Sequence, residues 1–450
     1  MTSQSGTMRL SLFVNPTGHH QASWRHPRAD ADAGINFSHY KALVQAAEAA
    51  KFDMVFFADN QLMRPGPKKA VGRVAQYVAN FEPMTLASAL FAVTDRIGIA
   101  LTASTSYNLP FQVARKFASM DFISGGRVGW NMVTSGMEEE SRNFGRDTHY
   151  GHAEAYGRAR EFADICIGLW DSWEDDAFPR DKNSGIFSDQ NKVHTLDHEG
   201  EHFRVRGPLN IPRSPQARPV LLQAGMSPDG LDFAAGYADL IFVMPQTLSD
   251  AQELYRDVKR RAAAHGRNPD FVKVMPGISY TTGKTEQDAT REFEFLQSLL
   301  HPDVSLQALS QKLRADMSAY PLDEALPDDI PSARHNSRID LYVKMAKREN
   351  LTLRQLAQRA AGTGGAGYVV HNSGEGLADM MEEWFRNGAA DGFQIQPSFL
   401  PGGFDDFLHY VHPHLRRRGL VREEYEGRTL RDHLGLERPR WAGPKDARIA

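Results

Sequence analysis

Short runs of β-branched and aromatic residues recur along the chain, and each is followed by a longer stretch whose apolar residues return every three or four positions. This alternation predicts βα units around a parallel sheet. Eight units favour a single α/β domain over 1–450 folded as a (β/α)8 TIM barrel, because a doubly wound sheet usually has fewer strands. The predicted strands span 10–15, 54–59, 97–105, 128–134, 220–223, 240–244, 272–279 and 392–396, and the predicted helices include 40–50, 83–94, 111–123, 154–170, 252–264 and 377–385.

Two intervals are too long for simple loops and predict insertions. The first, 173–219, follows the fourth strand, and its apolar runs at 193–196 and 202–205 predict a hairpin. The second, 301–367, follows the seventh strand and combines helical pieces with Pro-rich breaks. Insertions of this length are typical of lids and binding loops. The charged C-terminal tail, about 415–450, predicts a solvated helix face or a subunit contact.

Composition excludes several classes of protein. Lys and Arg number 52 and Asp and Glu 56, so the formal net charge of −4 offers no basic excess for nucleic-acid binding. Cys166 is the single cysteine, which excludes internal disulfides and Cys-rich metal sites. The first residues do not resemble a signal peptide, and no apolar run is long enough to cross a membrane. We therefore predict a cytoplasmic protein that binds neither nucleic acid nor membrane.

Three motifs do not carry the chemistry that their spacing suggests. The glycines of 362–367 follow a helical stretch, whereas the dinucleotide fingerprint needs a strand before a helix, so a hinge is predicted. The segment 225–230 misses the nucleophile-elbow spacing by one residue. His412 and His414 have no carboxylate or cysteine partner at a useful spacing, so we expect exposed histidines and no metal site.

Polar residues at the predicted strand ends form the strongest candidate site, because the chemistry of a TIM barrel lies at the C-terminal ends of its strands. One carboxylate, several hydroxyls and an amide suit the binding of a polyol-and-phosphate cofactor better than acid–base chemistry alone. These residues are Asp59 after the second strand, Thr102 and Ser104 on the third, Asn131 and Ser135 on the fourth, and Met226 and Ser227 after the fifth.

Ser227 has the features of a phosphate-binding helix start. Gly225 lets the chain turn, Ser227 is a good N-cap, and Pro228 is a good first helical residue. The free N–H groups and the dipole of such a helix start attract phosphate. An ordinary capping serine is the alternative interpretation.

Two further features have a functional and a structural interpretation. Asp59 either faces the mouth of the barrel or caps the loop that follows its strand. His152 and Tyr156 are four residues apart at the start of a long helix, so they share one face. That face points either into the barrel mouth or onto the protein surface.

Several segments resemble the bacterial-luciferase superfamily, above all the unbroken stretch from Leu101 to Ser135. They are most similar to its FMN-dependent monooxygenase branch, which includes nitrilotriacetate monooxygenase, dibenzothiophene-sulfone monooxygenase and the pristinamycin synthase large component. The other matching segments include 24–27, 57–59, 81–83, 143–147, 152–156, 169–173, 207–210, 223–225 and 390–393.

The resemblance implies the oxygenase component of a two-component system. Such a protein receives reduced FMN from a separate NADH:FMN oxidoreductase and uses O₂ to oxygenate a small organic substrate at a C–S, C–N or C–H centre. We also expect a homodimer or homotetramer. The branch usually has a basic residue where Ala155 stands. The implied FMN contacts are Asp59, Thr102, His152, Tyr156, Met226 and Ser227, with Ser104, Asn131 and Ser135 as a second tier; no protein group is assigned as the catalyst.

Three alternatives remain open at this point. The chain could be a deazaflavin-dependent hydride-transfer oxidoreductase of the same superfamily, although the 101–135 stretch argues against it. It could also be a non-catalytic flavin-binding barrel or, in principle, a metal-dependent hydrolase, for which strand-end His and Asp ligands are missing. Candidates for a mixed aromatic and polar substrate pocket are Phe13, His19, His20, Trp24, Phe56 and Tyr107, with core packing the alternative for both phenylalanines.

Overall fold

The structure is a computed structural model that describes residues 6–63, 65–327, 337–362 and 368–445. Its strands are β1 (Arg9–Phe13), β2 (Met54–Phe57), β3 (Gly98–Ser104), β4 (Val128–Val133), β5 (His198–Glu199), β6 (Arg204–Val205), β7 (Val220–Gln223), β8 (Leu240–Val243), β9 (Lys273–Gly283), β10 (Tyr368–Ser373) and β11 (Gly392–Pro397). Eight of them form a closed parallel barrel in the order β1, β2, β3, β4, β7, β8, β9, β11, with β11 pairing back to β1. The predicted (β/α)8 barrel is confirmed.

Helices cover the barrel, and several begin where the sequence predicts. Proline is the first residue of α3, α4, α7 and α10, where its missing N–H costs no hydrogen bond. Among the described residues, no helix is long and apolar enough to span a bilayer. The helices are α1 (Phe37–Ala49), α2 (Lys68–Val71), α3 (Pro83–Phe91), α4 (Pro110–Ser124), α5 (Glu138–Arg142), α6 (His152–Trp170), α7 (Pro228–Tyr237), α8 (Leu248–Ala264), α9 (Glu286–Ser298), α10 (Pro302–Leu313), α11 (Ser337–Glu349), α12 (Leu353–Gly362), α13 (Gly374–Arg386), α14 (Gly402–Asp406), α15 (His412–Arg417) and α16 (Leu430–Leu434).

The seventh barrel strand, β9, is longer than the sequence predicts. Its first half pairs with β8, and its second half pairs with β10 on the same side. Thr281 and Thr282 lie in this extension and are buried, with their hydroxyls hydrogen-bonded. The apolar pattern of β9 ends before the strand does, because the residues of the extension are polar. Of the predicted hinge at 362–367, only Gly362 lies within the described residues, where it ends α12.

The insertion after β4 contains a hairpin, but its first arm differs from the prediction. β5 and β6 form a two-residue antiparallel ladder, His198 opposite Val205 and Glu199 opposite Arg204. The predicted first arm, 193–196, lies outside that ladder, and Val193 instead bridges Trp173. The carboxylate of Glu161 on α6 organises the hairpin by accepting hydrogen bonds from the His202 and Phe203 N–H groups.

Part of the C-terminal tail, α16 and Leu436, is buried against the bottom of the barrel, so the predicted solvated face is wrong there, whereas the predicted subunit contact stays a prediction. Leu430, Leu434 and Leu436 are buried in one cluster with residues at the N-terminal ends of the strands, such as Met54 and Val220. In the sequence these leucines stand among charged residues, so their burial is not visible from the local pattern. Arg431 is buried because its guanidinium donates to backbone carbonyls and the Asp239 carboxylate.

The interpretation of His412 and His414 as exposed is wrong for His412. This residue begins α15, is buried, and lies parallel to the ring of Phe52 with their centroids 6.2 Å apart. Val411 and Leu415 are also buried. The apolar spacing of this segment turns His412 towards the barrel despite its polar neighbours.

His433 in α16 predicts an acid-sensitive fold. Its ring is fully buried, and neither ring nitrogen has a hydrogen-bond partner among the described residues. Burial, with nearby Arg422, lowers its pKa from 6.5 to about 3. Between pH 6.5 and about 3, His433 is therefore protonated in the unfolded chain and neutral in the folded chain. The free energy of unfolding consequently falls as the pH drops below about 6.5.

We expect the His433→Leu variant to lose less stability than wild type on acidification. The difference in the free energy of unfolding, measured by urea denaturation at pH 7 and 5, is expected to be up to about 2 kcal/mol. The matched control His409→Leu, at an exposed position, leaves the pH dependence unchanged. Equal pH dependence in wild type and His433→Leu would contradict this account.

Candidate active site

The C-terminal ends of β2, β3, β4 and β7 open into one cavity of about 260 Å³. It lies where a TIM barrel has its active site. Five predicted site residues line it: Asp59, Thr102, Ser104, Ser135 and Tyr156. The other lining residues are Asn60, Gln61, Val133, Thr134, Gly136, Glu140, Gln223, Ala224 and Gly225.

Thr102 and Asn131 act as a pair on neighbouring strands. The Asn131 side-chain amide donates to Thr102 Oγ1 at 2.9 Å, and both residues are buried. Since the Thr102 oxygen already accepts this bond, its own hydrogen is left to donate into the cavity. Asn131 is not part of the lining, so its place in the site is behind Thr102.

Ser104, Ser135 and Glu140 form a continuous hydrogen-bonded chain along one wall. The two serine hydroxyls lie 2.8 Å apart, and Ser135 Oγ lies 3.1 Å from Glu140 Oε1. Ser135 has φ of 51°, a left-handed conformation that is uncommon for residues other than glycine. Local backbone strain of this kind is characteristic of functional sites.

Asp59 is a half-buried carboxylate in the same cavity. Burial, reinforced by the negative charges of Glu82 and Glu140, raises its pKa from 3.8 to about 6, against the opposing hydrogen bond from the Asn60 N–H. Glu82 is held in place because it caps α3 by accepting from the Met84 and Thr85 N–H groups. Asp59 therefore changes its charge near neutral pH.

The start of α7 forms a narrow cradle beside the cavity. Ser227 is its N-cap, and Ser227 Oγ accepts from the Gly230 N–H at 3.1 Å. Tyr156 reaches this turn from α6: a Cβ placed on Gly225 or Gly230 would lie 2.9 or 2.7 Å from the tyrosine hydroxyl oxygen. A side chain at either position would displace the tyrosine hydroxyl, because the tyrosine and the helix start approach so closely.

His152 and Met226 lie at the edge of this cradle rather than in the cavity lining. His152 Nε2 is 3.1 Å from Asp229 Oδ2 in the first turn of α7, and both side chains are more than half exposed. Its ring meets that of Tyr156 edge to face at 5.0 Å. The Met226 sulfur accepts from the Met244 N–H, so its side chain points towards the end of β8.

A family model described as luciferase-like monooxygenase matches residues 11–389. The chain belongs to this family. The predicted membership of the bacterial-luciferase superfamily is therefore confirmed.

Similar proteins cover almost the whole chain. It is 46% identical over 442 residues to N-acetyl-S-(2-succino)cysteine monooxygenase of Bacillus subtilis (strain 168), covering 98% of this chain and 99% of that protein. It is 43% identical over 441 residues to nitrilotriacetate monooxygenase component A of Aminobacter aminovorans, covering 96% and 97%. A riboflavin lyase solved with modified FMN and riboflavin is similar in structure, with a TM-score of 0.86 and 31% identity over 98% of each chain.

Two residues of the cavity lining, Gln61 and Glu140, are not among the residues that the sequence predicts for the site. Glu140 stands in a run of three glutamates, which reads as a solvated helix start, yet it is 3% exposed. Gln61 follows Asp59 in the loop after β2, and its carbonyl accepts from Asn143 Nδ2. The short distance in sequence between the end of β4 and Glu140 is the one feature that places Glu140 near the site.

The predicted substrate residues lie in several places and do not line one pocket. Phe13 makes edge-to-face contacts with His19, Phe56 and Phe242 at 4.6, 4.7 and 6.2 Å. Trp24 lines a second cavity of about 260 Å³, between the segments that follow β1 and β2. His20 is buried near the segment after β1, and Tyr107 stacks on Phe144 beside the first cavity's wall. Within the described residues, no group of three His, Cys, Asp or Glu side chains is arranged for a metal ion.

Proposed function

We propose that this chain is the oxygenase component of a two-component flavin-dependent monooxygenase, which uses reduced FMN and O₂ to oxygenate a small organic substrate. The observation that carries this proposal is the cavity at the C-terminal ends of the strands, with its hydroxyl lining and the adjoining helix start. This combination fits a cofactor with a polar ring system at one end and a phosphate at the other.

The phosphate end of FMN fits the start of α7. There the Ser227 hydroxyl hydrogen, the Met226 backbone and the first N–H groups of the helix lie beside the turn where Gly225 and Gly230 approach Tyr156. Tyr156 adds its hydroxyl, and His152 offers a ring nitrogen at the rim, next to Asp229.

The ring end of FMN fits the wall made by β2, β3 and β4. Asp59, Thr102, Ser104 and Ser135 line this wall, and Asn131 orients Thr102 from behind. When bound, reduced FMN supplies the two electrons that activate O₂. The protein's own residues then bind the flavin, orient its ring and exclude water.

Ala155 leaves a gap in positive charge at this site. It is buried on α6 beside Tyr156, at a position where the family resemblance implies a basic residue. In this chain the phosphate is left to the α7 helix start, Ser227 and His152. This arrangement fits a flavin that enters and leaves on each cycle.

The substrate class is a small molecule with an oxidisable C–S, C–N or C–H centre. The names of the related enzymes include a thioether-containing cysteine derivative and an aminopolycarboxylate. The cavity beside Trp24 lies at the same end of the barrel as the flavin cavity and is the proposed substrate pocket. We further propose a cytoplasmic homodimer or homotetramer that is served by an NADH:FMN oxidoreductase.

A coupled assay tests the proposed function. The purified chain alone is expected to oxidise no NADH, because it contains no nicotinamide-binding fingerprint. Together with a generic NADH:FMN oxidoreductase, FMN and O₂, it should convert candidate thioethers or amines into oxygenated products.

The same assay distinguishes the other classes. Turnover without a reductase, or hydride transfer without O₂ consumption, would contradict the proposal. Binding of FMN with no product from any thioether, sulfone, amine or alkane tested would instead favour a non-catalytic flavin-binding barrel.

A further inference from the structure

The hydroxyl chain along the cavity wall can run in two directions. A serine hydroxyl donates one hydrogen bond and accepts up to two. Ser104 Oγ already accepts from the Ser106 N–H at 3.1 Å, and it lies 2.8 Å from Ser135 Oγ. One hydrogen must lie between the two serine oxygens, and another must lie between Ser135 and Glu140 at 3.1 Å. The charge of Glu140 decides where both hydrogens come from.

When Glu140 is ionised, it only accepts. Ser135 then donates to Glu140, and Ser104 donates to Ser135. Ser104 has no hydrogen left for the cavity and faces it as an acceptor.

When Glu140 is protonated on Oε1, the oxygen that faces Ser135, the chain reverses. Its carboxyl O–H donates to Ser135, and Ser135 donates to Ser104. Both lone pairs of Ser104 are then used, by Ser135 and by the Ser106 N–H, so its own hydrogen points into the cavity. Thr102 cannot change in this way, because the Asn131 amide always donates to it.

We propose that Glu140, acting through Ser135, sets whether Ser104 donates or accepts a hydrogen bond at the bound flavin, and that binding of oxidised FMN draws one proton from solvent onto Glu140. This inference rests on the proposed function. The hydrogen-bonding atoms of the oxidised ring system are mostly acceptors, so a donor at Ser104 is preferred. Glu140 is a positioning residue, since it reaches the cavity chemistry only through the two serines.

The surroundings of Glu140 keep its neutral form accessible. Burial raises its pKa, against the opposing hydrogen bonds from Ser135 and the Gln61 N–H. Asp59, from the end of β2, adds a negative charge in the same cavity. Tyr107, from the loop after β3, also lies near Glu140, and among the described residues no cation is named as lowering the pKa of Glu140. Its own helix carries Glu138, Glu139 and Arg142.

Two variants separate the switch from a purely structural role. Glu140→Gln keeps the shape and offers a permanent N–H donor to Ser135, which fixes Ser104 as a donor. Ser135→Gly cuts the chain while leaving Glu140 in place, and glycine accepts φ of 51° without strain. Melting curves establish that each variant is folded, and either variant alone is sufficient for the test.

The measurement is proton uptake when oxidised FMN binds at pH 7.5, from titration calorimetry in two buffers with different ionisation enthalpies. Wild type is expected to take up more protons per FMN than Glu140→Gln or Ser135→Gly, with one proton as the upper limit. As the pH rises from 6 to 8, the FMN affinity of wild type is expected to fall by up to tenfold per pH unit relative to that of Glu140→Gln.

A titration of Asp59→Asn identifies the group responsible. The difference in proton uptake between wild type and Glu140→Gln should persist when both carry Asp59→Asn, because Asp59, whose pKa responds to the charge of Glu140, can then take up no proton in either protein. Equal uptake in wild type and Glu140→Gln would overturn the proposed switch. Failure of wild type to bind any flavin would instead contradict the proposed function.

Discussion

Replacing Asp59 with alanine is expected to lower flavin-dependent oxygenation by about 100-fold or more, while the folded protein becomes more stable at pH 7.5. The carboxylate lines the flavin cavity at the end of β2, with Glu82 and Glu140 as like-charged neighbours. The structure keeps it there at a cost, because burial raises its pKa to about 6. Residues retained at such a cost are characteristic of binding and catalytic sites.

The sign of the stability change follows from the pKa. The folded state holds the Asp59 proton more tightly than the unfolded chain, so this carboxyl lowers stability as pH rises from about 4 to 6. The Asp59→Ala variant should therefore gain about 1–2 kcal/mol relative to wild type at pH 7.5, and the gain should shrink towards pH 4.

Chemical denaturation and a reductase-coupled turnover assay test both parts of this prediction. The exposed carboxylate of Asp95 provides the matched control, because Asp95→Ala should change neither quantity. Asp59→Asn separates the loss of charge from the loss of the hydrogen-bonding group. A variant at position 59 that melts much earlier yet keeps normal turnover per folded molecule would assign Asp59 to the scaffold.

Replacing Ser227 with alanine is expected to weaken the binding of reduced FMN by about 10- to 100-fold. In the folded protein this hydroxyl oxygen accepts from the Gly230 N–H, which leaves its hydrogen to donate to a phosphate oxygen. A charge-assisted hydrogen bond of this kind contributes about 1.5–3 kcal/mol. Anaerobic titration with reduced FMN measures the loss.

Two comparisons separate phosphate binding from helix capping at Ser227. Ser227→Asp preserves the N-cap, since aspartate caps helices well, but it brings a negative charge to the phosphate and should abolish binding. Thr247→Ala removes the equivalent cap of α8, where Thr247 Oγ1 accepts from the Asp250 N–H at 3.1 Å, and should leave FMN affinity unchanged. If Ser227→Ala and Thr247→Ala lose only a similar amount of stability, with no change in FMN affinity, Ser227 is a cap and nothing more.

Local sequence accounts for the barrel and for the wall of the site. A buried parallel strand needs a short apolar run, and the helix that covers it needs an apolar stripe, so both are visible as periodicities within a few residues. The ends of these strands then identify Asp59, Thr102, Ser104 and Ser135 as neighbours, and all four line one cavity. The Ser227 cap can also be predicted from the sequence, because the serine and the following proline define a helix start by themselves.

Contacts between distant segments account for the features that the sequence concealed. Glu140 is buried only because the loops after β2 and β4 meet over it, and nothing in a run of glutamates reports that meeting. The charged tail packs against the bottom of the barrel because Arg431 finds carbonyl and carboxylate partners more than 190 positions away in the chain. Tyr156 enters the cavity while His152 stays at the rim, although both share a helix face, because α7 and Asp229 approach that face from elsewhere in the fold. Periodicity reports which face of an element is buried, whereas the partner across that face is set by tertiary packing.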